Sequence, residues 1–179
     1  MTNPERKEER DEEELKAARQ KVYDVFCKLG IPYEVTMHPP IFSAADEVRK
    51  NIKIDAMICK NLFLRNKDKS RYYLFTLPLN KRADLTALQA ALDETRLSFG
   101  DADALWERLH IRPGSVSLLN IIGAAEKPPL KFLVDAEVLE VPRIGVHPND
   151  NGATIVFAPE RLPEVFAYYK AGFSFIELE

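Results

Sequence analysis

Cysteine is scarce in this chain: of 179 residues only Cys27 and Cys59 are cysteines, both in apolar surroundings and without CxxC spacing. This excludes a disulfide-stapled scaffold and makes two buried free thiols the expectation. Long apolar runs are missing too. Runs such as Leu118-Leu119 and Ile121 to Ala125, and every other in the chain, fall far below the ~18 residues that cross a bilayer. The N-terminus has neither the basic-then-apolar pattern of a secretory signal nor the acid-poor composition of a transit peptide, so a cytoplasmic protein is expected. With 7 glycines and 12 prolines the chain is neither collagen-like nor low-complexity. No GxSxG, HExxH, HxE with PCxxC, P-loop or GxGxxG occurs. His38, His110 and His147 are too scattered to form a metal box by spacing, so neither a metal nor a cofactor is expected.

What is present is the composition of one soluble domain, 46% apolar and 30% charged. A chain of this length buries roughly 70% of its unfolded surface and needs no staple. The net charge of −3 argues against a general nucleic-acid coat protein. It hides an asymmetry, because between Arg49 and Arg82 ten Lys or Arg stand against two acids, a local +8 on an acidic remainder. Such a band suits contact with a few phosphates at one place, or it is a solvated hairpin tip.

Residues 1–11 carry almost no apolar side chains and read as a charged, flexible extension or the exposed first turns of a helix; residues 12–179 read as the folded domain. Leu15, Ala18, Val22, Val25, Phe26 and Leu29 recur at helical spacing, and Gly30 with Pro32 marks the stop. Tyr33 to Met37 alternates like a strand that His38-Pro39-Pro40 ends. Ser43 and Asp46 mark the start of a short helix through Val48. Ile58 to Leu64 and Tyr72 to Leu77 read as a hairpin around the basic Arg65 to Arg71. Asp84 caps a helix with Leu85, Leu88, Ala91 and Leu92, and Asp101 or Asp103 starts another with Leu105, Trp106 and Leu109 on its apolar side. After the Pro113-Gly114 turn, Ser115 to Ile122, Leu130 to Val134, Ile144 to Val146, Ala153 to Phe157 and Phe173 to Leu178 look like strands, with a helix opened by Pro159. The irregular interleaving predicts an α/β (α+β) single domain with a mixed sheet and excludes regular βαβ winding.

Three places could carry chemistry. Lys60 sits inside an apolar strand on the same face as Leu62 and Leu64. If that face is buried its ammonium needs an anionic partner, which a substrate could supply; otherwise it is an edge lysine reaching to water. His147 follows a short strand and opens a polar turn, a frequent location for a site, although such a histidine also serves as a structural hydrogen-bonding residue. Gly114-Ser115-Val116-Ser117 offers backbone N–H groups to a phosphate or an oxyanion.

Taken in order, His38-Pro39, Lys60-Asn61-Leu62-Phe63-Leu64, Tyr72-Tyr73-Leu74, Leu97-Ser98-Phe99, Gly114-Ser115-Val116-Ser117 and His147-Pro148-x-x-Asn151-x-x-Thr154 resemble the YbaK/ProX family of aminoacyl-tRNA editing domains, from about residue 20 to 178. The resemblance implies a mixed, barrel-like sheet flanked by helices. It implies a trans-editing deacylase that removes alanine, or cysteine, wrongly attached to tRNA(Pro), with the details nearer the alanine-specific branch. Lys60 then corresponds to the essential lysine that holds the terminal adenosine or its phosphate. Gly114 and Ser115 belong to the loop that approaches that adenosine, and His147 lines the aminoacyl pocket. His38, Asn61, Ser117, Leu118, Pro148, Asn151 and Thr154 follow as substrate-side positions. Leu118 stands where the family's GxxxP loop has proline, which predicts a looser loop. The implied partners are the acceptor end of tRNA(Pro) and prolyl-tRNA synthetase, for a monomer or a homodimer. A catalytically idle relative that only binds an acceptor end or a synthetase is the rival expectation.

Overall fold

The computed structural model describes residues 4–40, 52–111, 113–122 and 130–178. Helix α1 spans Pro4–Lys28, so the charged stretch from Pro4 onward forms the first turns of this helix. Its apolar stripe buries Val22 and Phe26, and Phe26 meets Phe157 edge-on at 4.9 Å. The helix stops where the sequence marks it. Gly30 takes φ +62° while its N–H reaches the Cys27 carbonyl and that of Ile31 reaches Phe26, the paired bonds of a glycine-terminated helix.

Eight strands follow the order β1-β7-β6-β2-β3-β5-β8, with β4 also on β2. They are β1 Glu34–Met37, β2 Met57–Asn66, β3 Tyr72–Pro78, β4 Leu97–Phe99, β5 Leu130–Asp135, β6 Ile144–Val146, β7 Ala153–Phe157 and β8 Phe173–Ile176. The sheet is mixed. β2 runs antiparallel to β3 and β4 and parallel to β6, while β3–β5 and β5–β8 are parallel. Every residue of β3 is buried, as its apolar run, broken only by Thr76, requires of a strand covered on both faces. Among the described residues β1 and β8 end the strand path.

Three further α-helices lie among the described residues: α2 Leu85–Ala91, α3 Ala102–Leu109 and α4 Leu162–Tyr168. Asp84 caps α2 by accepting from the Thr86 and Ala87 N–H groups, and Asp101, not Asp103, caps α3. Two apolar clusters lie on opposite faces of β2 and β3. The larger holds Phe26, Cys59, Phe63, Leu74 and Phe166; the smaller holds Leu64, Phe75, Leu77 and Leu88.

Four local expectations change. Ser115 to Ile122 is not a strand, because Ser117 caps a 3-10 turn over Leu118–Ile121. Cys27 is exposed, and only Cys59 is buried. Trp106 leaves the apolar side of α3 and is exposed. The basic band is not one patch: Arg71 pairs with Glu94 and Lys81 with Asp135, while the hairpin tip lies six residues beyond Lys60, roughly 20 Å along the strand. The helix expected from Ser43 through Val48, with Arg49 and Lys50, lies outside the described residues. No described helix is long and apolar enough to cross a membrane.

Candidate active site

The site grows from a gap in the sheet. One edge of β2 pairs with β3 from Cys59 to Arg65. The other meets β6 only at Met57 and Ile58 and β4 only from Leu64 to Asn66. Between them, among the described residues, Cys59 to Leu62 have no strand partner on that edge. Lys60 lies in this gap, half-buried, with no ion-pair or hydrogen-bond partner among the described residues; burial pushes its pKa below the ordinary lysine value. Alternation places it on the Leu62 and Leu64 face. Asn61 turns to the opposite face, where its Oδ1 accepts from the Thr76 hydroxyl at 2.7 Å.

Continuing the parallel Met57–Ile144 and Ile58–Gly145 register by two places sets Lys60 level with His147, just past β6. The His147 ring is largely enclosed, and its pKa is lowered by burial first and by the neighbouring His38, against the opposing pull of the Ala153 carbonyl and Asp150. Its Nδ1 lies 3.1 Å from the Ala153 carbonyl oxygen. A carbonyl only accepts, so the neutral ring carries its proton on Nδ1 and leaves the Nε2 lone pair free. His38 likewise donates from Nδ1 to the Pro39 carbonyl at 3.0 Å, and its Nε2 and the Thr154 hydroxyl share a hydrogen bond of 2.8 Å. The two imidazoles stand 6.4 Å apart.

The turn that carries His147 is polar yet buried. Pro148 is enclosed, Asn149 takes a left-handed φ of +62°, and Asp150 Oδ1 accepts from the Gly152 N–H at 2.8 Å. Arg19 of α1 donates to Asp150 Oδ2. Asn120 donates to Asn149 Oδ1 and to the Ser115 carbonyl, at 2.9 and 3.2 Å. Ser117 donates to the His147 carbonyl. This net joins α1, the Gly114 loop and the turn, and it answers the expectation about Leu118. Although proline is missing, the loop is tied by Ser117 N–H on Asn120 Oδ1 at 2.6 Å and Leu119 N–H on Ser117 Oγ at 3.2 Å. Leu118 itself is fully buried, and Gly114 at φ +95° holds a conformation that a side chain would strain.

The structure thus gathers His38, His147, Thr154, Ser117 and the Gly114–Ser115 loop, while Lys60 lies on the neighbouring strand β2, two residues past its last pair with β6. Asn61 and Leu118 point into the fold instead. Ser117 does not pair with a histidine side chain, because its hydroxyl donates to the His147 backbone carbonyl. Cys59 is no nucleophile either, since burial pushes its thiol up to about 12. Among the described residues no group of three or more His, Cys, Asp or Glu could hold a metal. What remains among the described residues is a cation without a partner, a neutral imidazole whose Nε2 makes no hydrogen bond, and a loop with a left-handed glycine tied by Ser117 and Asn120.

Residues 38–165 match the family model of the aminoacyl-tRNA editing domain. The chain belongs to this family. A relative, the prolyl-tRNA editing protein ProX of Acetoanaerobium sticklandii, is 30% identical over 161 residues, covering 90% of this chain and 98% of that protein. The prolyl-tRNA synthetase associated domain-containing protein 1 of Mus musculus is 29% identical over 136 residues, 74% and 79% of the two chains. A solved structure of a candidate trans-editing enzyme for prolyl tRNA synthetase shares the fold, with a TM-score of 0.65 at 19% identity over 90% of this chain and 96% of the other.

In this editing domain Lys60, Gly114 and His147 all fall inside the matched span, whereas Arg19 lies outside it. Sequence reasoning missed Arg19, Asn120, Asn149 and Asp150. Asn120 had a signal, since Ser117-x-x-Asn120 has the spacing of a capping box. Arg19 had none, because its partner is 131 residues away.

Proposed function

We infer that this editing domain is a trans-acting hydrolase that removes a wrong amino acid, alanine before cysteine, from tRNA(Pro). The observation that carries this is Lys60, half-buried in the unpaired stretch of β2 with no ion-pair or hydrogen-bond partner among the described residues, on the strand that neighbours the β6 from which the enclosed His147 follows. An aminoacyl ester is already activated, so a site that orients it and steadies the oxyanion suffices without a triad or a metal. Lys60 would hold the anionic acceptor end, whose charge replaces the water its ammonium loses on burial. Water adds to the ester carbonyl carbon, and the bond from that carbon to the ribose oxygen breaks. The ribose oxygen takes a proton as the free amino acid leaves, and the neighbouring ribose hydroxyl assists. His147 acts as a wall of the aminoacyl pocket, admitting alanine and rejecting the larger proline, since a pocket excludes a larger group better than a smaller one.

The test is deacylation of Ala-, Cys- and Pro-tRNA(Pro) by the wild type and His147→Ala. Hydrolysis of the alanyl ester alone, with proline admitted in His147→Ala, is the expected result. A preference for the cysteinyl ester would move the substrate assignment. Binding of tRNA with no hydrolysis of any ester would leave a binding protein.

A further inference from the structure

Between α1, α3 and the turn after β6 lies a cavity of about 320 Å³, walled by Glu14, Trp106, His110, Ser115 and Asn151 among others. We propose that it receives one unpaired nucleobase of the tRNA 3′ end, a subsite that rests on the editing reading above. Trp106 is the chain's single tryptophan and is 52% exposed, although Leu105 and Leu109 of the same helix are buried. Its indole lies parallel to the His110 imidazole, 5.7 Å apart at 15°. A half-open aromatic platform on a cavity wall is how unpaired bases are held irrespective of sequence.

Asn151 supplies the second, independent observation. The residue is 9% exposed, lines the cavity and has no hydrogen-bond partner among the described residues. A carboxamide offers donor and acceptor together, which matches the adjacent donor and acceptor on the edge of a base. Glu14 repels a phosphate, so the occupant is the neutral base rather than the backbone. Asn151 and His147 are four residues apart on one turn, at most about 14 Å, or roughly four stacked nucleotides at 3.4 Å each. One strand end can therefore place its ester at His147 and a base against Trp106.

Trp106 reports on its own cavity. The full chain is titrated with the trinucleotide CCA while its fluorescence is followed, with ribose 5-phosphate as the sugar-phosphate control. Saturable quenching by CCA alone is expected, weakened about tenfold in Asn151→Ala. Trp106→Ala should raise KM for the aminoacyl-tRNA about tenfold at unchanged kcat, and Trp106→Phe should restore most of it. Because Trp106 is half exposed, these variants keep the fold even if Asn151→Ala does not. Unchanged fluorescence with CCA, equal quenching by ribose 5-phosphate, or an unmoved KM in Trp106→Ala while esters are hydrolysed would overturn the subsite and leave the editing reading intact. Quenching that depends on Asn151 without hydrolysis of any ester would support the subsite and remove the editing reading.

Discussion

Two polar turns join antiparallel strands in this chain, and they are built in opposite ways. The basic turn between β2 and β3 is exposed from Lys67 to Arg71 and is held largely by Asn66, whose Oδ1 accepts from the Arg71 N–H and whose Nδ2 donates to Ser70. The turn between β6 and β7 has Asn149, Asp150 and Asn151 at 6%, 2% and 9% exposure, tied to α1 and to the Gly114 loop. Each contains a residue other than glycine at φ near +60°, Lys69 and Asn149. The comparison separates charge density from function. The first turn keeps its charges in water at little cost, whereas the second removes polar groups from water, which is tolerated only when each finds a partner or awaits one.

If the buried turn is the organised one, breaking its ties should cost far more than editing the basic tip. The largest effect is expected for Arg19→Ala, which leaves the buried Asp150 carboxylate unpaired. Urea denaturation should show a loss of roughly 3 kcal/mol, the low end for a broken buried pair because Arg19 keeps 22% of its side chain in water. Asn120→Ala comes next, at about 2 kcal/mol, since the Ser117 N–H and Asn149 Oδ1 lose their partner. A loss under about 0.5 kcal/mol in either variant would erase the contrast.

His147 sharpens the comparison through pH. Its folded-state pKa lies below the unfolded value, so the unfolded chain takes up the proton first. The stability linked to the neutral ring is complete above about pH 6.5. It is lost as pH falls through that value toward the folded pKa, below which the loss levels off. The stability difference between wild type and His147→Gln should therefore shrink on acidification, and a difference that grows would reverse the assigned environment. The smallest effect belongs to Lys67→Ala, an exposed substitution expected to change stability by less than about 0.5 kcal/mol.

Much of the scaffold can be read from the chain because its signals are local. Gly30 ends α1, Asp84 starts α2, and the alternation around Lys60 places it on the Leu62 face. The break in pairing along β2 cannot be read that way. It arises because β6 and β4 arrive from distant parts of the chain and cover only the two ends of one edge. Trp106 departs for a related reason: helical spacing defines a stripe, but only tertiary neighbours decide how wide it is, and here Leu105 and Leu109 are buried while Trp106 is exposed. At the site, His147 and Gly114 could be seen as candidates, whereas Arg19 acquires its meaning only from Asp150 far along the sequence.

The most direct measurement compares Lys60→Ala with Lys67→Ala in deacylation of Ala-tRNA(Pro) at low salt. Lys60→Ala should lose about a hundredfold in kcat/KM, the scale of a misplaced reacting group, while Lys67→Ala stays near wild type. Equal activity in the two variants, or a larger loss in Lys67→Ala, would contradict a site built around the partnerless lysine in the gap of β2.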